Sequence, residues 1–185
     1  MLFRSLSGEL YSPLWKGAWG YAGAAVGLDP EFTPRWTAGG ELFQGLGSLH
    51  PALSFLEPSF GYRYMSFQST TINVLVPGIT VYLPGNVWLT EKVYFVPEND
   101  SWSLSSTLTW RPTDRLQIFA SGAFGTASER FSALQDFARS NTEILQGGVT
   151  FPLTRRFSVE ISGLYEDRQG QYIRRGGSFA LLFHW

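Results

Sequence analysis

The chain has 185 residues, enough for one domain, and a net charge of −1 that offers nothing to a polyanion such as nucleic acid. It contains no Cys, which excludes thiolate metal sites, thiol nucleophiles and disulfides. Charged residues reach only 16%, against about 25% in an ordinary soluble domain, while aromatics also reach 16% and there are 20 Gly.

No stretch approaches the roughly 18 consecutive apolar residues of a transmembrane helix. The longest candidate, Tyr21 to Leu28, is short and rich in Gly and Ala. The N-terminus does not read as a signal peptide, because Arg4 is a lone charge and Ser5, Ser7, Gly8 and Glu9 interrupt any apolar core. An exported protein needs such a signal, so the numbering is expected to describe a mature, truncated or recombinant chain.

Strands are predicted, in chain order, at 2–11, 15–27, 35–45, 59–68, 71–83, 87–96, 102–111, 115–125, 141–151, 156–166 and 172–185. Turn chemistry separates them at Ser12-Pro13, Pro84-Gly85-Asn86, Pro97-Glu98-Asn99-Asp100, Arg111-Pro112-Thr113-Asp114, Pro152-Leu153-Thr154 and Gln169-Gly170. The governing signal is period two. Trp102, Leu104, Ser106, Leu108 and Trp110 alternate with Ser103, Ser105, Thr107 and Thr109. One face is apolar with Trp at both ends, as a tilted membrane-spanning strand requires, and the other carries only hydroxyls. Leu116, Ile118, Ala120, Gly122 and Phe124 form a second apolar face, and Phe157, Val159, Ile161, Gly163 and Tyr165 a third. A soluble sandwich with one solvated face also alternates. Two features weigh against it: strands of about 10 to 13 residues, where globular strands average 5 or 6, and polar faces short of Lys and Glu. The fold class expected is all-β, a single antiparallel up-and-down transmembrane barrel of 10 to 12 strands, in the bacterial outer membrane.

Such barrels begin and end in the periplasm, which puts the long 126–140 connection outside and the short turns at 84–86, 111–114 and 152–155 inside. Eleven strands is an odd number, whereas single-chain bacterial barrels use even ones. Either the chain lacks at least one N-terminal strand, or Leu49, Leu53, Phe55 and Leu56 supply a short strand within 46–57, where Pro51 would break its ladder.

Three segments carry a family resemblance. Residues 32–44 read Phe-Thr-Pro-Arg-Trp-Thr-Ala-Gly-Gly-Glu-Leu-Phe-Gln. Residues 61–67 read Gly-Tyr-Arg-Tyr-Met-Ser-Phe, and 76–83 read Val-Pro-Gly-Ile-Thr-Val-Tyr-Leu, followed by Trp88-Leu89. In order and spacing these resemble the YaiO-type outer-membrane β-barrel family. The stretch from Phe124-Gly125 to Glu129 resembles that family's Tyr-Gly-Arg-Ser loop start, with Thr126 where Arg is usual. The resemblance runs from about residue 8 onward and departs at 46–57, which looks like an insertion. It implies an outer-membrane barrel, often encoded near or fused to polysaccharide-handling or tetratricopeptide-repeat modules, with further strands before the point where this chain begins. No catalytic residue carries over.

Chemistry-bearing residues are few. His50 lies beside Pro51 in a turn, and His184, in the last strand, shares a face with Ser178 and Leu182 but has no acidic neighbour in sequence. A Ser-His-acid hydrolase needs all three groups in reach of one another, and two His without a carboxylate cluster do not make a metal site, so no catalytic residue, metal or cofactor is expected. The informative residues are charges on polar strand faces: Glu41 beside Thr37 and Phe43, Arg63 beside Met65, Lys92 beside Thr90, and Glu160, Glu166 and Arg174. A charge against lipid costs several kcal/mol near the midplane, so these should line the lumen, with Glu41 and Arg63 in salt-bridge range and Trp36, Leu42, Tyr62 and Tyr64 facing lipid. They either fill a small barrel as ion pairs or border a narrow path for ions or a sugar chain.

At the C-terminus Phe179, Leu181, Phe183 and Trp185 alternate and end on an aromatic, which resembles the signal read by the outer-membrane assembly machinery. Residues 172–185 are expected to close the barrel against the first strand. If strands are missing, that seam should be open or filled by another chain. The function expected is a non-enzymatic barrel supporting export or surface placement of a polysaccharide. Its partners are the lipid bilayer, the assembly machinery, and a polysaccharide or a periplasmic repeat-containing protein. A small general porin or structural barrel, and an outer-membrane lipid-modifying enzyme, are the alternatives. The polysaccharide rests on the resemblance alone.

Overall fold

A computed structural model describes the chain except residues 1–4, 28–33, 126–141, 155, 169–171 and 184–185. The described residues form one antiparallel sheet of eleven strands in sequence order: β1 (Ser5–Trp15), β2 (Ala18–Gly27), β3 (Trp36–Gln44), β4 (Leu56–Ser66), β5 (Thr71–Leu83), β6 (Val87–Val96), β7 (Ser101–Thr113), β8 (Leu116–Gly125), β9 (Thr142–Pro152), β10 (Phe157–Arg168) and β11 (Tyr172–Phe183). Every consecutive pair is joined by a ladder, so the meander expected from the turn spacing is the topology found. No described helix is long and apolar enough to cross a membrane.

The strand faces separate as the alternation demands. On β7 Ser101, Ser103, Ser105 and Thr109 are buried, whereas Trp102, Leu108 and Trp110 are exposed. The same holds on β4, where Gly61 and Met65 are buried and Phe60 and Tyr62 are exposed. Exposed apolar side chains run over the whole outer face, from Leu6 and Leu10 on β1 to Phe179 and Leu181 on β11. A surface of that kind is out of place in water and suits lipid.

The sheet is strongly curled. Glu41 on β3 and Lys92 on β6 are three strands apart, about 14 Å along a flat sheet at roughly 4.8 Å per strand. Their charged atoms nevertheless meet at 2.7 Å, so the pair crosses the concave side as a chord. On the same side Met65, Val74, Val76 and Val96 form a dry cluster against Phe67, Ile72 and Tyr94.

Three expected boundaries shift, two of them because a proline expected in a turn lies inside a strand. Ser12-Pro13 lies inside β1, where the register slips between Pro13 and Trp15; the turn is made by Lys16-Gly17. Pro112 likewise lies inside β7 at the register shift between Trp110 and Thr113, and Asp114-Arg115 turns the chain. Proline is tolerated in a sheet at an edge or a bulge, and here one sits in each. The fourth strand starts at Leu56 rather than residue 59, and residues 46–57 hold two short 3₁₀ turns, Leu46–Ser48 and Pro51–Leu53, ahead of it. That segment is therefore not the source of a twelfth strand. Nor does a ladder join β11 to β1 among the described residues, so the sheet keeps a free edge at each end. Trp185 lies outside the described residues.

The 45–55 connection is pinned to the first hairpin. Gly17 has φ +75°, its carbonyl accepts from the Gly45 N–H at 2.7 Å, and a Cβ there would stand 2.5 Å from the Ser48 Cβ. Gly17→Ala is expected to lower stability in detergent micelles by about 1–3 kcal/mol, from left-handed strain and the clash together. Gly8→Ala, where a Cβ meets nothing within 4 Å, is the control. Equal urea midpoints for the two variants would contradict the assignment.

Candidate functional site

The concave face is the place where this chain can do chemistry, and its residues fall into two unlike halves. The β2–β6 half is filled. Trp19 stacks on Phe43 with centroids 3.9 Å apart and planes 2° from parallel. Tyr21 sits 6.4 Å from Phe43 and 5.3 Å from Tyr11, which makes a ladder of rings across β1, β2 and β3. Register puts these rings on one face, since Trp19 pairs with Phe43, Tyr21 with Glu41 and Tyr11 with Tyr21.

Glu41 is the hub of this half. It is 4% exposed, and it accepts from Lys92 Nζ at 2.7 Å, Ser59 Oγ at 2.7 Å and Tyr21 Oη at 3.3 Å. Gly61 and Gly78, on the strands between, leave the space through which the chord passes. The Lys92 ammonium also lies 5.4 Å from the Phe43 ring centroid, a cation–π contact that shares the cost of its desolvation. Arg63 packs its guanidinium 6.0 Å from the Tyr94 ring centroid. Toward the short-turn rim Glu57 accepts from Trp19 Nε1 at 3.3 Å and from Tyr82 Oη at 3.1 Å.

The β7–β11 half is different. Many of its concave positions are small or hydroxyl-bearing, Ser105 and Thr107 on β7, Ser121 and Ala123 on β8, Gly148 on β9, Ser162 on β10 and Ser178 on β11, while Phe119, Ile144, Gln146 and Leu164 share that face. Ser162 and Ser178 share a hydrogen bond of 2.6 Å, and Thr150 donates to Glu160 at 3.3 Å. Glu166, 1% exposed, is paired with Arg174 at 2.9 Å across the β10–β11 ladder. Over the described concave face Glu9, Glu41, Glu57, Glu160 and Glu166 stand against Arg63, Lys92, Arg111 and Arg174, five carboxylates to four cations.

All six charges singled out in the sequence lie on this concave face, and Trp36, Leu42, Tyr62 and Tyr64 lie on the convex one; Trp36 and Tyr64 rings meet at 4.8 Å. The structure brings Glu41 to Lys92, a partner three strands away that adjacent-strand reasoning does not reach. Tyr11, Trp19, Glu57 and Tyr82 join the site without having been singled out; for Tyr11 and Tyr21 the signal was a ring at the same face position on neighbouring strands. His50 is a turn residue, its Nδ1 accepting from the Ala52 N–H at 3.2 Å. His184 lies outside the described residues. At the opposite rim Glu98, in the Pro97–Asn99 turn, binds the Asn73 side-chain amide and, at 2.9 Å, its backbone N–H. Burial pushes its carboxyl up, but these donors and its own N–H outweigh that and hold it below the usual carboxylate range. No group of three or more His, Cys, Asp or Glu among the described residues is arranged to hold a metal ion.

Removing one member of the chord should cost more than removing both. Lys92→Met leaves the Glu41 carboxylate buried beside two neutral donors, an expected loss of about 3–5 kcal/mol. Lys92→Met combined with Glu41→Gln should recover most of it. The readout is the urea midpoint of refolded protein in micelles, and a single variant as stable as the double would contradict the chord.

Comparison with known proteins agrees with this geometry. The family described as "YaiO membrane beta barrel domain" matches residues 5–126, or 122 of the 185. No curated protein sequence matches the chain. Among solved structures, a protein titled "KdgM porin" superposes with a TM-score of 0.55 at 7% identity, covering 98% of this chain and 92% of that one. At that identity the likeness is one of fold.

Proposed function

We infer the function of this chain from what it is: it belongs to the YaiO membrane beta barrel domain family, and its place is the bacterial outer membrane. It works without catalysis, as a barrel that supports export or surface placement of a polysaccharide. One observation carries this reading. The concave face carries a ladder of rings, Tyr11, Tyr21, Phe43 and Trp19, on β1–β3, and Ser, Thr and Gly positions around the Phe119 ring on β7–β11. Sugar rings present apolar C–H faces that pack on aromatic planes and hydroxyls that exchange hydrogen bonds with Ser and Thr, so a chain sliding along such a bore meets both. Packing in the β2–β6 half supports a narrow bore, with the path assigned to the β7–β11 half. In this reading Glu160, Glu166 and Arg174 border the path, while Glu41, Arg63 and Lys92 brace its far wall. The apolar alternation through Phe179 and Leu181 to Phe183 and Trp185 serves recognition by the assembly machinery, and a periplasmic repeat-containing protein delivers the polymer.

The porin-like title of the structural neighbour favours a second reading, a small general pore. One experiment separates the two. In planar bilayers the wild type is expected to conduct weakly, and added neutral oligosaccharide should interrupt the current. Ser162→Trp, which fills the path, should sharply reduce both conductance and interruption. Current that ignores oligosaccharide would establish the general pore. A barrel that neither conducts nor responds to sugar would overturn both readings.

A further inference from the structure

The connection between β3 and β4 leaves the sheet on its convex side. Gln44 alternates with the concave Glu41 and Phe43, so it shares the convex face with Trp36 and Leu42. In register, Trp15, Ala18 and Gln44 form one row across β1, β2 and β3. Trp15 Nε1 donates to Gln44 Oε1 at 2.8 Å, so the indole reaches across Ala18. Ala18 is accordingly 4% exposed, whereas Ala22, Ala24 and Val26 on the same face of β2 are exposed. Gln44 Nε2 then donates to Ser48 Oγ at 2.8 Å, and Ser48 packs against Gly17. The near half of the connection is therefore tied to the outer rim of the wall. An exposed Trp at the end of a membrane strand marks the headgroup level, and the connection starts from that level.

Beyond Ser48 every residue from Leu49 to Phe55 is exposed, and the run contains no Asp, Glu, Lys or Arg. Leu49 is 73% exposed and Leu53 39%. The backbone of the connection meets its own hydrogen-bonding needs to an unusual degree. Ser48, Leu49, His50, Leu53 and Ser54 donate their N–H groups to carbonyls between Gly45 and Pro51. Ala52 donates to His50 Nδ1, and Pro51 has no N–H. A segment with so few donors left over loses little on entering the interfacial layer of a bilayer, and its apolar side chains gain there. The surface that it adjoins is already apolar, since Leu14, Trp15 and Leu42 are exposed and the Leu14 and Leu42 side chains meet over Gly20. Lys16, exposed in the turn beside Gly17, supplies a cation for a phospholipid phosphate.

We propose that the 45–55 connection is a membrane anchor. It lies in the headgroup layer of the adjoining leaflet with Leu49 and Leu53 directed at the acyl chains, and its partner is a lipid surface rather than another protein. The proposal rests on the convex face being the lipid face, and it extends that face past the end of the strands. A short-turn connection that would otherwise stand in water then holds β1 to β4 at a fixed depth. That is the part of the wall which the Glu41–Lys92 chord braces from within.

Because the chain has no Cys, a fluorophore on a single thiol reads the depth of each position. Leu49 is exposed, so a label there leaves the packing of the sheet intact. In liposomes with bromine placed high on the acyl chains, a label at Leu49→Cys is expected to be quenched nearly as strongly as one at Leu42→Cys on the convex face. A label at Asp114→Cys, exposed in another turn of the same rim, should be quenched several-fold less. Adding Leu53→Asp, which puts a charge into the anchor, should bring the Leu49 label down to the Asp114 level. Quenching at Leu49 no stronger than at Asp114, with Leu42 quenched, would overturn the anchor alone and leave the connection to water or to a periplasmic protein. Leu42 unquenched as well would overturn the lipid-facing reading and the anchor with it. Quenching at Leu49 that ignores Leu53→Asp would show the fluorophore inserting by itself, and would also overturn the proposal.

Discussion

Lipid supplies no hydrogen-bond partner to a peptide group, and the rest of this molecule follows from that shortage. Each N–H and C=O that crosses the hydrocarbon layer must be met by another strand, and a continuous run of ten ladders does so from β1 to β11. The same constraint sorts the side chains. A strand paired on both sides has one face left for lipid and one for the interior, which is why apolar and hydroxyl residues alternate from Trp102 to Trp110 on β7, with Ser106 the one break. It also falls on the two outer edges. Among the described residues β1 and β11 each keep one unpaired edge, and within the bilayer such an edge must be covered.

Curvature turns the polar face into a bore, and the bore is held by charge as well as by packing. A carboxylate as enclosed as Glu41 would be intolerable alone. With Lys92, Ser59 and Tyr21 around it, it becomes a fixed point that ties β3 to β6 across the interior. A one-residue slip of either strand would throw one partner of that chord into lipid, so the pair contributes to register more than to net stability. The valine and methionine cluster beside it closes the same side with a dry wall. The β7–β11 side carries most of the Ser, Thr and Gly of the concave face, so the interior is unequally divided.

The fold was legible because period two is a global signal, repeated strand after strand with Trp at its limits. Where local chemistry contradicted it, the local reading was the weaker one. Pro13 and Pro112 look like turns and lie in bulged strands, since a missing N–H does no harm where the ladder is already broken. The site was half legible. Inward charges could be picked out by face, but the partner of Glu41 depends on how tightly the sheet curls, which no single strand records. Glu91, on the convex face beside Ser106, escaped because β6 alternates poorly: Thr90, Glu91 and Lys92 are polar in a row. Two adjacent charges in the middle of a strand cannot both face inward, and that rule alone would have sent one of them to lipid.

The central claim is that the convex face lies in hydrocarbon and the concave face does not. Fluorophores on single thiols along β3 and β10, in liposomes whose acyl chains carry a bromine quencher, test it directly. Labels at Leu42 and Ile161 should be strongly quenched, and labels at Thr37 and Ser162 should not. Uniform quenching, quenching of the opposite set, or a protein that stays a dispersed monomer in water without detergent would contradict the account.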